Sequence, residues 1–278
     1  MAIPVTVATI ASYAEQQVEL QGWVYNKRGS GKIAFIMLRD GTGIIQCIAS
    51  KKDLEEVEPG LFQRLRKLGQ ESSLIIRGTV HAEERAPFCG HEIHVTSATV
   101  VGESVDYPIT PKEHGPAFLH DHRHLWFRSR RQQAIMRVRH AAIRAIREYF
   151  DERAYVLMDS PILTPNACEG TSTLFATDYY GRPAFLTQSG QLYQEAGATA
   201  FRKTYCFGPT FRAEKSDTRR HLTEFWMVEP EVAWIDFDGV MDLCEDFLVH
   251  VTARVLELAR PQLEELERDI AALERVQK

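Results

Sequence analysis

The sequence predicts an α+β protein in which a small β-rich domain precedes a larger domain of helices and antiparallel strands. Three observations support this prediction. The N-terminal third holds a series of short strand-like runs with one helix-like segment inside the series. A stretch with several prolines, residues 102–115, then interrupts regular structure. Beyond it, a long amphipathic helix leads into strand-like runs that carry aromatic and charged residues.

Composition places the chain among ordinary globular proteins. It has 278 residues, of which 44% are hydrophobic and 26% charged, with a formal net charge of −5. This charge argues against bulk adhesion to nucleic acid but leaves room for a local basic patch. No apolar run approaches the roughly 20 residues of a membrane span, and the N-terminus lacks the features of a signal peptide. We therefore expect a cytoplasmic location and no membrane partner.

The strand-like runs of the first domain alternate as a half-buried sheet does. They cover residues 18–24, 33–38, 44–49, 74–80 and 92–101. The segment 40–43 is a predicted hairpin turn because its glycines accept positive φ. Residues 51–69 are predicted to form a polar loop and an amphipathic helix, with Leu61, Leu65 and Leu68 at helical spacing. Five strands with a helix after the third is the order of an OB-fold barrel.

Such barrels bind single-stranded nucleic acid by stacking bases on strand aromatics within a basic groove. Lys27, Arg28 and Lys32 supply positive charge before the second strand. Phe35 and Gln46 lie on the adjacent strands. From the residues alone, the favoured interpretation is that Phe35 is a core side chain and Gln46 an ordinary polar strand residue.

The second domain begins with a predicted helix over residues 131–150. Its apolar face is formed by Ile135, Val138, Ala142, Ala145 and Tyr149. Strand-like runs follow at 155–158, 174–177 and 183–186, and a further helix is predicted from 237 until Pro261 interrupts it. Beyond Pro261, a last amphipathic helix is predicted over 263–273.

The most informative stretch runs from residue 207 to 231. Arg212 and Glu214 stand two apart, so they share one face of an extended strand, and a polar loop follows them. The next strand-like run places Phe225, Met227 and Glu229 on one face. Arginine suits phosphate, an aromatic ring suits a base, and carboxylates suit a cationic group or a metal ion. An isolated Arg-x-Glu would indicate only an ordinary surface hairpin. Together with the polar loop and the run that carries Phe225 and Glu229, it is a far more specific signal of a binding site.

This combination resembles motif 2 of class II aminoacyl-tRNA synthetases. The wording RHL-x-EFWM-x-EPE, residues 220–231, is similar to that of the asparaginyl-tRNA synthetases in class IIb. The helix and strand of 131–165, with Pro161, fit motif 1, which forms the homodimer interface in this family. A core helix followed by an edge strand fits the same periodicity.

The resemblance implies three parts. An anticodon-binding OB-fold domain covers 1–103, a hinge covers 104–130, and a partial catalytic domain with an antiparallel sheet covers 131–278. The third motif of the class, a glycine-rich strand and a helix bearing an arginine, is not found in the sequence. The expectation is therefore a truncated form of the enzyme.

The resemblance also implies roles for individual residues. Arg212 would be the catalytic residue and would bind ATP together with Glu214, His221 and Phe225. Glu231 would help to hold Mg²⁺. The amino acid would be bound by Glu169, Gln188, Gln191 and Glu229, and the tRNA anticodon by Arg28, Phe35 and Gln46.

The reaction implied is the ATP-dependent ligation of L-asparagine to tRNA(Asn) through asparaginyl-adenylate. The enzymes for aspartate carry a lysine at the position of Gln194, which would neutralise a carboxylate substrate, so a neutral glutamine favours asparagine. Two alternatives stay open at this point. One is an aspartyl or non-discriminating enzyme, and the other is a tRNA-binding fragment without catalysis.

Overall fold

The structure is a computed structural model that describes residues 2–168, 173–216, 218 and 220–277. The chain divides into two compact units, Met1–Asp121 and His122–Lys278. The segment 104–121 falls in the first unit and 122–130 in the second, although the sequence predicts that both belong to a hinge. Each unit has its own arrangement of helices and strands and is described by itself.

The first unit is mainly β-structure. Its elements are β1 (Ile3–Pro4), a 3-10 helix (Val7–Tyr13), β2 (Gln17–Ser30), β3 (Ile33–Arg39), β4 (Ile44–Ser50), α1 (Lys51–Val57), α2 (Leu61–Lys67), β5 (Ser73–Ala82), β6 (His91–Gly102) and α3 (Pro116–Asp121).

These strands form a closed barrel. The sheet order is β1-β2-β3-β4-β6-β5, and an additional pairing of β2 with β5 closes it. The long strands pair antiparallel except β4 and β6, which are parallel. Alternate residues point inward, so Leu20, Ile36, Ile45 and Ile93 are almost fully buried. The predicted OB-fold barrel is confirmed.

The segment 51–69 differs in part from the prediction. Its amphipathic helix is α2, but the predicted polar loop contains a further short helix, α1, and Gly60 between the two helices has a φ of +86°. Such a backbone conformation breaks the helical hydrogen-bonding pattern, and glycine tolerates it without a Cβ clash. Leu61 and Leu65 of α2 are buried in the barrel core, as their spacing indicated.

The second unit mixes helices with short sheets. Its elements are α4 (Arg123–Trp126), α5 (Arg130–Glu152), β7 (Val156–Leu157), β8 (Leu163–Thr164), β9 (Ala176–Tyr179), β10 (Arg182–Leu186), α6 (Gln191–Phe201), β11 (Lys203–Phe211), β12 (Glu224–Val232), α7 (Phe237–Glu265) and α8 (Ile270–Arg275).

Two three-stranded sheets organise this unit, one of order β8-β10-β9 and one of order β12-β11-β7. In the second sheet, β11 and β12 form a regular antiparallel ribbon, and β7 joins β11 in parallel. An aromatic cluster of Tyr149, Phe150, Tyr155, Tyr205 and Phe207 fills the space between α5, this sheet and α7. The α+β class is therefore confirmed. The aromatic cluster packs against one face of the β11–β12 ribbon, and the polar side chains lie on the opposite face.

One predicted feature of the helices is wrong, and another is confirmed. The buried stripe of α5 contains Ala134 and Ala141 instead of Ile135, which is 37% exposed. The predicted interruption at Pro261 is confirmed, because α7 is kinked there: Ala259 has a non-helical φ of −138°, and a second helical segment continues to Glu265. The distortion at Ala259 relieves the clash of the proline ring with the preceding turn. Among the described residues, no helix combines the length and apolar character that a membrane crossing requires.

Candidate active site and nucleic-acid face

The ribbon of β11 and β12 separates an apolar face from a polar one. Trp226 packs edge-on against Phe207 at a ring-centroid distance of 5.4 Å, and Val228 packs into the aromatic cluster. Because side chains alternate along a strand, Glu229 and Glu231 lie on the opposite face. This is the division between faces that the sequence predicted. The polar face is the candidate active site.

Arg212 lies at one end of this polar face, directly after β11. Its backbone N–H donates to the carbonyl oxygen of Thr223 at 2.9 Å, which fixes the start of the loop. Its guanidinium lies 5.8 Å from the ring centroid of Phe225 and 3.9 Å from the sulfur of Met227. The structure thus brings Arg212 and Phe225 together, with a fixed cation beside an aromatic surface.

The loop between the two strands carries Glu214 and His221. The Nε2 atom of His221 lies 3.0 Å from the backbone carbonyl oxygen of Glu214, so the two residues are adjacent across the loop. Both are half-buried. Asp217 and Arg219 of the same loop lie outside the described residues.

Glu229 is held at the beginning of α6. Its Oε1 accepts the backbone N–H of Gly190 at 2.9 Å, and its other oxygen accepts the Ser189 hydroxyl. The Cys206 sulfur lies 3.5 Å from Oε1. Burial and the charge of Glu229 raise the pKa of the Cys206 thiol to about 12, so this group stays protonated. A carboxylate with these donors keeps a fixed orientation.

Ser189 and Cys206 were not predicted as parts of the site. The Ser-Gly pair before a helix is a signal for Ser189, because small polar residues collect at helix starts. Cys206 has no such signal in the sequence. Its position follows from pairing with Glu229 across the ribbon, which sequence spacing alone does not reveal.

The predicted glutamines occupy different environments. Gln188 is 3% exposed, whereas Gln191 is exposed and donates from Nε2 to Glu195 at 2.8 Å. Gln194 is completely buried and donates to the Met158 carbonyl oxygen at 2.7 Å. Its amide therefore ties α6 to the segment after β7. Glu169, predicted to bind the amino acid, lies outside the described residues.

Glu231 lies near two other carboxylates. Its burial, together with the charges of Glu195 and Glu229, raises the pKa of its carboxyl group above the ordinary value. A divalent cation would relieve this repulsion. Within the described part of the chain, no three His, Cys, Asp or Glu side chains converge as a metal cage. One carboxylate that acts with substrate phosphates is a usual arrangement for Mg²⁺, so the donor set fits this ion.

The outer surface of the barrel carries the second predicted site. The Arg28 guanidinium lies 5.2 Å from the ring centroid of Phe35. The same guanidinium donates to Gln46 Oε1 at 3.2 Å, and Gln46 Nε2 donates to Glu92 Oε2 at 2.9 Å. The three predicted residues are therefore together. Glu92 was missed, because only the parallel pairing of β4 with β6 brings it beside Gln46.

Comparison with known families gives one match for the barrel and another for the part of the chain that holds the β11–β12 ribbon. Residues 18–101 match the OB-fold nucleic acid binding domain, and residues 116–276 match the family of tRNA synthetases class II (D, K and N). The chain belongs to this class II synthetase family.

Within the family, the chain is similar to asparagine–tRNA ligases. It is 55% identical to the ligase of Sorangium cellulosum over 275 residues, which cover 99% of this chain and 61% of that protein. It is 56% identical to the ligase of Chloroflexus aurantiacus over 272 residues, which cover 98% of this chain and 61% of that protein. The chain thus spans about three fifths of the length of these relatives.

A solved structure gives the same result. The asparaginyl-tRNA synthetase of Pyrococcus horikoshii, complexed with asparaginyl-adenylate, matches with a TM-score of 0.92 and 38% identity. The match covers 99% of this chain and 63% of that one. The asparaginyl-tRNA synthetase of Entamoeba histolytica, also with asparaginyl-adenylate, matches with a TM-score of 0.82 and 29% identity.

Proposed function

We propose that this chain carries the anticodon-binding domain and the amino-acid and ATP face of an asparagine–tRNA ligase. The observation that supports this proposal best is the convergence of Arg212, Phe225 and Glu229 on one face of the β11–β12 ribbon. This face supplies a cation, an aromatic surface and a fixed carboxylate, which match the parts of an aminoacyl-adenylate. Identity of 55% with an asparagine–tRNA ligase supports the choice of amino acid.

In the proposed reaction, the carboxylate of asparagine attacks the α-phosphorus of ATP. The bond to the β-phosphate oxygen breaks, and pyrophosphate leaves. Arg212 contacts both the carboxylate and the α-phosphate and neutralises the charge that develops between them. Phe225 stacks on adenine, and Glu214 and His221 contact ATP from the loop. Catalysis depends on positioning and charge neutralisation, without a protein nucleophile.

Asparagine would be bound by the polar groups around the start of α6. Glu229 accepts from the substrate, and Gln188 and Gln191, together with Glu169, complete this part of the site. The neutral Gln194 adds no cation to stabilise an aspartate side chain. Glu231 would hold Mg²⁺, which when bound neutralises charge on the phosphates. The activated acyl group then passes to the terminal ribose hydroxyl of tRNA(Asn), and AMP leaves.

The anticodon would be read by the outer face of the barrel. Phe35 offers a stacking surface, and Arg28 and Gln46 offer hydrogen-bonding groups beside it.

The proposal includes a homodimer formed through residues 131–165 and a cytoplasmic location. Support for the dimer comes from apolar side chains exposed in that segment, namely Ile135, Met136, Val156, Ile162 and Leu163.

The proposal is tested by ATP–pyrophosphate exchange on the 278-residue chain, with asparagine and aspartate in parallel and tRNA binding measured separately. Exchange with asparagine alone, and binding of tRNA(Asn), is the expected result. Preference for aspartate would replace asparagine with the aspartyl or non-discriminating alternative. Binding of tRNA without exchange would favour a non-catalytic tRNA-binding fragment, consistent with a chain that covers 61% of its relatives. The absence of both exchange and tRNA binding would contradict the proposal altogether.

A further inference from the structure

Besides Phe35, the outer surface of the barrel carries a pair of aromatic rings. His81 of β5 and His94 of β6 have ring centroids 4.3 Å apart and planes inclined by 52°. The side chain of His94 is 52% exposed, and that of His81 is 33% exposed. These rings have no role in the barrel core, which apolar side chains fill.

His94 lies on the same face of the sheet as Phe35. Phe35 pairs with Ile48 across β3 and β4, and Ile48 pairs with His94 across β4 and β6. The residues that flank His94 along β6, Ile93 and Val95, point into the core, so His94 points outward. Two strand spacings, about 10 Å in total, separate Phe35 from His94.

Hydrogen bonds hold both rings at their edges. His94 Nε2 lies 2.9 Å from Glu92 Oε1, and the second oxygen of Glu92 accepts from Gln46. His81 Nδ1 lies 3.0 Å from Glu15 Oε1. Contacts at the ring edges restrict rotation and leave the exposed ring surface available for stacking. The group Arg28–Gln46–Glu92–His94 is thus one continuous chain of polar contacts.

We propose that the His94–His81 pair is a stacking platform for a second RNA base, next to the base that stacks on Phe35. This inference rests on the proposed tRNA-binding function and extends it. Imidazole, like other aromatic rings, stacks on the face of any base, so the platform adds affinity with little sequence preference. Sheets that bind RNA through aromatics on neighbouring strands commonly stack two or three bases. Ile48, which pairs with Phe35 on one side and with His94 on the other, would lie between the two stacked bases.

The experiment measures binding of the 278-residue chain to a short RNA hairpin with the tRNA(Asn) anticodon loop. The fluorescent base 2-aminopurine replaces each loop base in turn. Three variants separate the functions of the ring: His94→Ala removes it, His94→Phe keeps an aromatic face without the contact to Glu92, and His94→Gln keeps a donor without a ring. Thr96→Ala is the matched control, because Thr96 is exposed two residues along the same strand on the same face.

We expect His94→Ala and His94→Gln to weaken binding roughly tenfold, since stacking on an aromatic ring contributes at about this level. His94→Phe and Thr96→Ala should bind as the unchanged chain does. Fluorescence quenching should be lost at one loop position in the first two variants. The dependence of binding on salt should keep its slope, because stacking releases no counterions.

Two results would overturn the inference. Unchanged affinity and unchanged quenching in His94→Ala would show that the His94–His81 pair does not stack on a base. Weak binding by His94→Phe together with normal binding by His94→Gln would show that His94 serves to orient Glu92. Thermal unfolding of each variant verifies that the barrel remains folded. If the unchanged chain failed to bind the hairpin, the proposed tRNA-binding function would fail first, and the inference with it.

Discussion

Arg212 combines fixed position with positive charge, and this combination makes it sensitive to substitution. Its backbone is bonded to Thr223 and its guanidinium lies over Phe225, so its donors are oriented before a ligand binds. We expect Arg212→Ala to weaken binding of a non-hydrolysable asparaginyl-adenylate analogue by about 100-fold or more, as loss of a preorganised charged donor does. Isothermal titration calorimetry measures this change. Arg260→Ala, which removes a surface arginine paired with Glu274, is the control.

Equal analogue binding by the Arg212→Ala variant would contradict the role of Arg212. The Arg212→Lys variant adds a finer test. Lysine keeps the charge but lacks the paired donors of a guanidinium. An intermediate affinity is therefore expected.

Glu231 should make stability depend on pH. Its pKa is raised above 4.5 by burial and by Glu195 and Glu229, so the unfolded chain releases this proton first as the pH rises. The contribution of Glu231 to stability is therefore lost between 4.5 and its higher folded-state pKa. We expect Glu231→Gln to raise the melting temperature at neutral pH, with a gain that shrinks as the pH falls through this window.

Melting curves recorded across this pH range provide the measurement. Glu224→Gln, a change at an exposed position on the same strand, should leave the pH profile unaltered. A Glu231→Gln profile parallel to that of the unchanged chain would rule out the repulsion among these carboxylates.

The barrel contains a buried ion pair that sets a further expectation. Arg39 donates to both oxygens of Glu71 at 2.9 and 2.7 Å, and their side chains are 7% and 2% exposed. We expect Arg39→Met to cost about 3–5 kcal/mol of unfolding free energy, because it leaves Glu71 charged and buried. The exposed ion pair of Arg64 with Glu58 is the control. Replacing Arg64 by Met should lower the unfolding free energy by less than about 1 kcal/mol.

Chemical denaturation measures both changes in unfolding free energy. Replacing Arg39 and Glu71 together with apolar residues should recover much of the loss. A loss for Arg39→Met no larger than that for the exposed pair would show that the ion pair has little effect on stability.

At the scale of elements, the start of α6 depends on a close approach that only glycine permits. A Cβ at residue 190 would lie 2.5 Å from the Cys206 sulfur and 2.7 Å from the Ser160 hydroxyl oxygen. Gly190→Ala should therefore displace α6 and cost about 1–3 kcal/mol, as overpacking does. Since Gly190 also donates to Glu229, asparagine should bind more weakly.

Gly208→Ala on β11 is the control, because a Cβ there meets no atom within 4 Å. Thermal unfolding and asparagine titration measure the two effects. A Gly190→Ala variant that matches Gly208→Ala in both would show that the helix start tolerates the added methyl group.

The elements also show what sequence reasoning can reach. Alternation predicted the barrel strands and the two faces of β12, because the period of a strand is visible in a single segment. The parallel pairing of β4 with β6, which sets Glu92 beside Gln46, was not predicted, since it joins residues far apart in the chain. The contacts of Glu229 were missed for the same reason. In the segment 51–69, the pattern predicted the amphipathic helix α2 but a loop where the structure has the short helix α1, because polar residues at the start of the segment hide the helix.

At the scale of the whole molecule, the exposed apolar residues of 131–165 predict self-association. Ile162 is 45% exposed, and charge at this position would oppose burial against a second copy. We expect Ile162→Asp to shift the chain from dimer to monomer in analytical ultracentrifugation. Val57→Asp, in the first unit at 60% exposure, should leave the mass unchanged. Identical sedimentation of all three proteins would contradict the proposed dimer interface.

The orientation of the Gln46 amide is set by its two charged neighbours. Its oxygen faces Arg28 and its nitrogen faces Glu92, so the order of acceptor and donor along the barrel surface follows from the two charges. Exchanging those charges between the two positions would turn the amide round without changing Gln46 itself. The residues beside Gln46 therefore decide which hydrogen-bonding group the amide presents on each side, without any change at position 46.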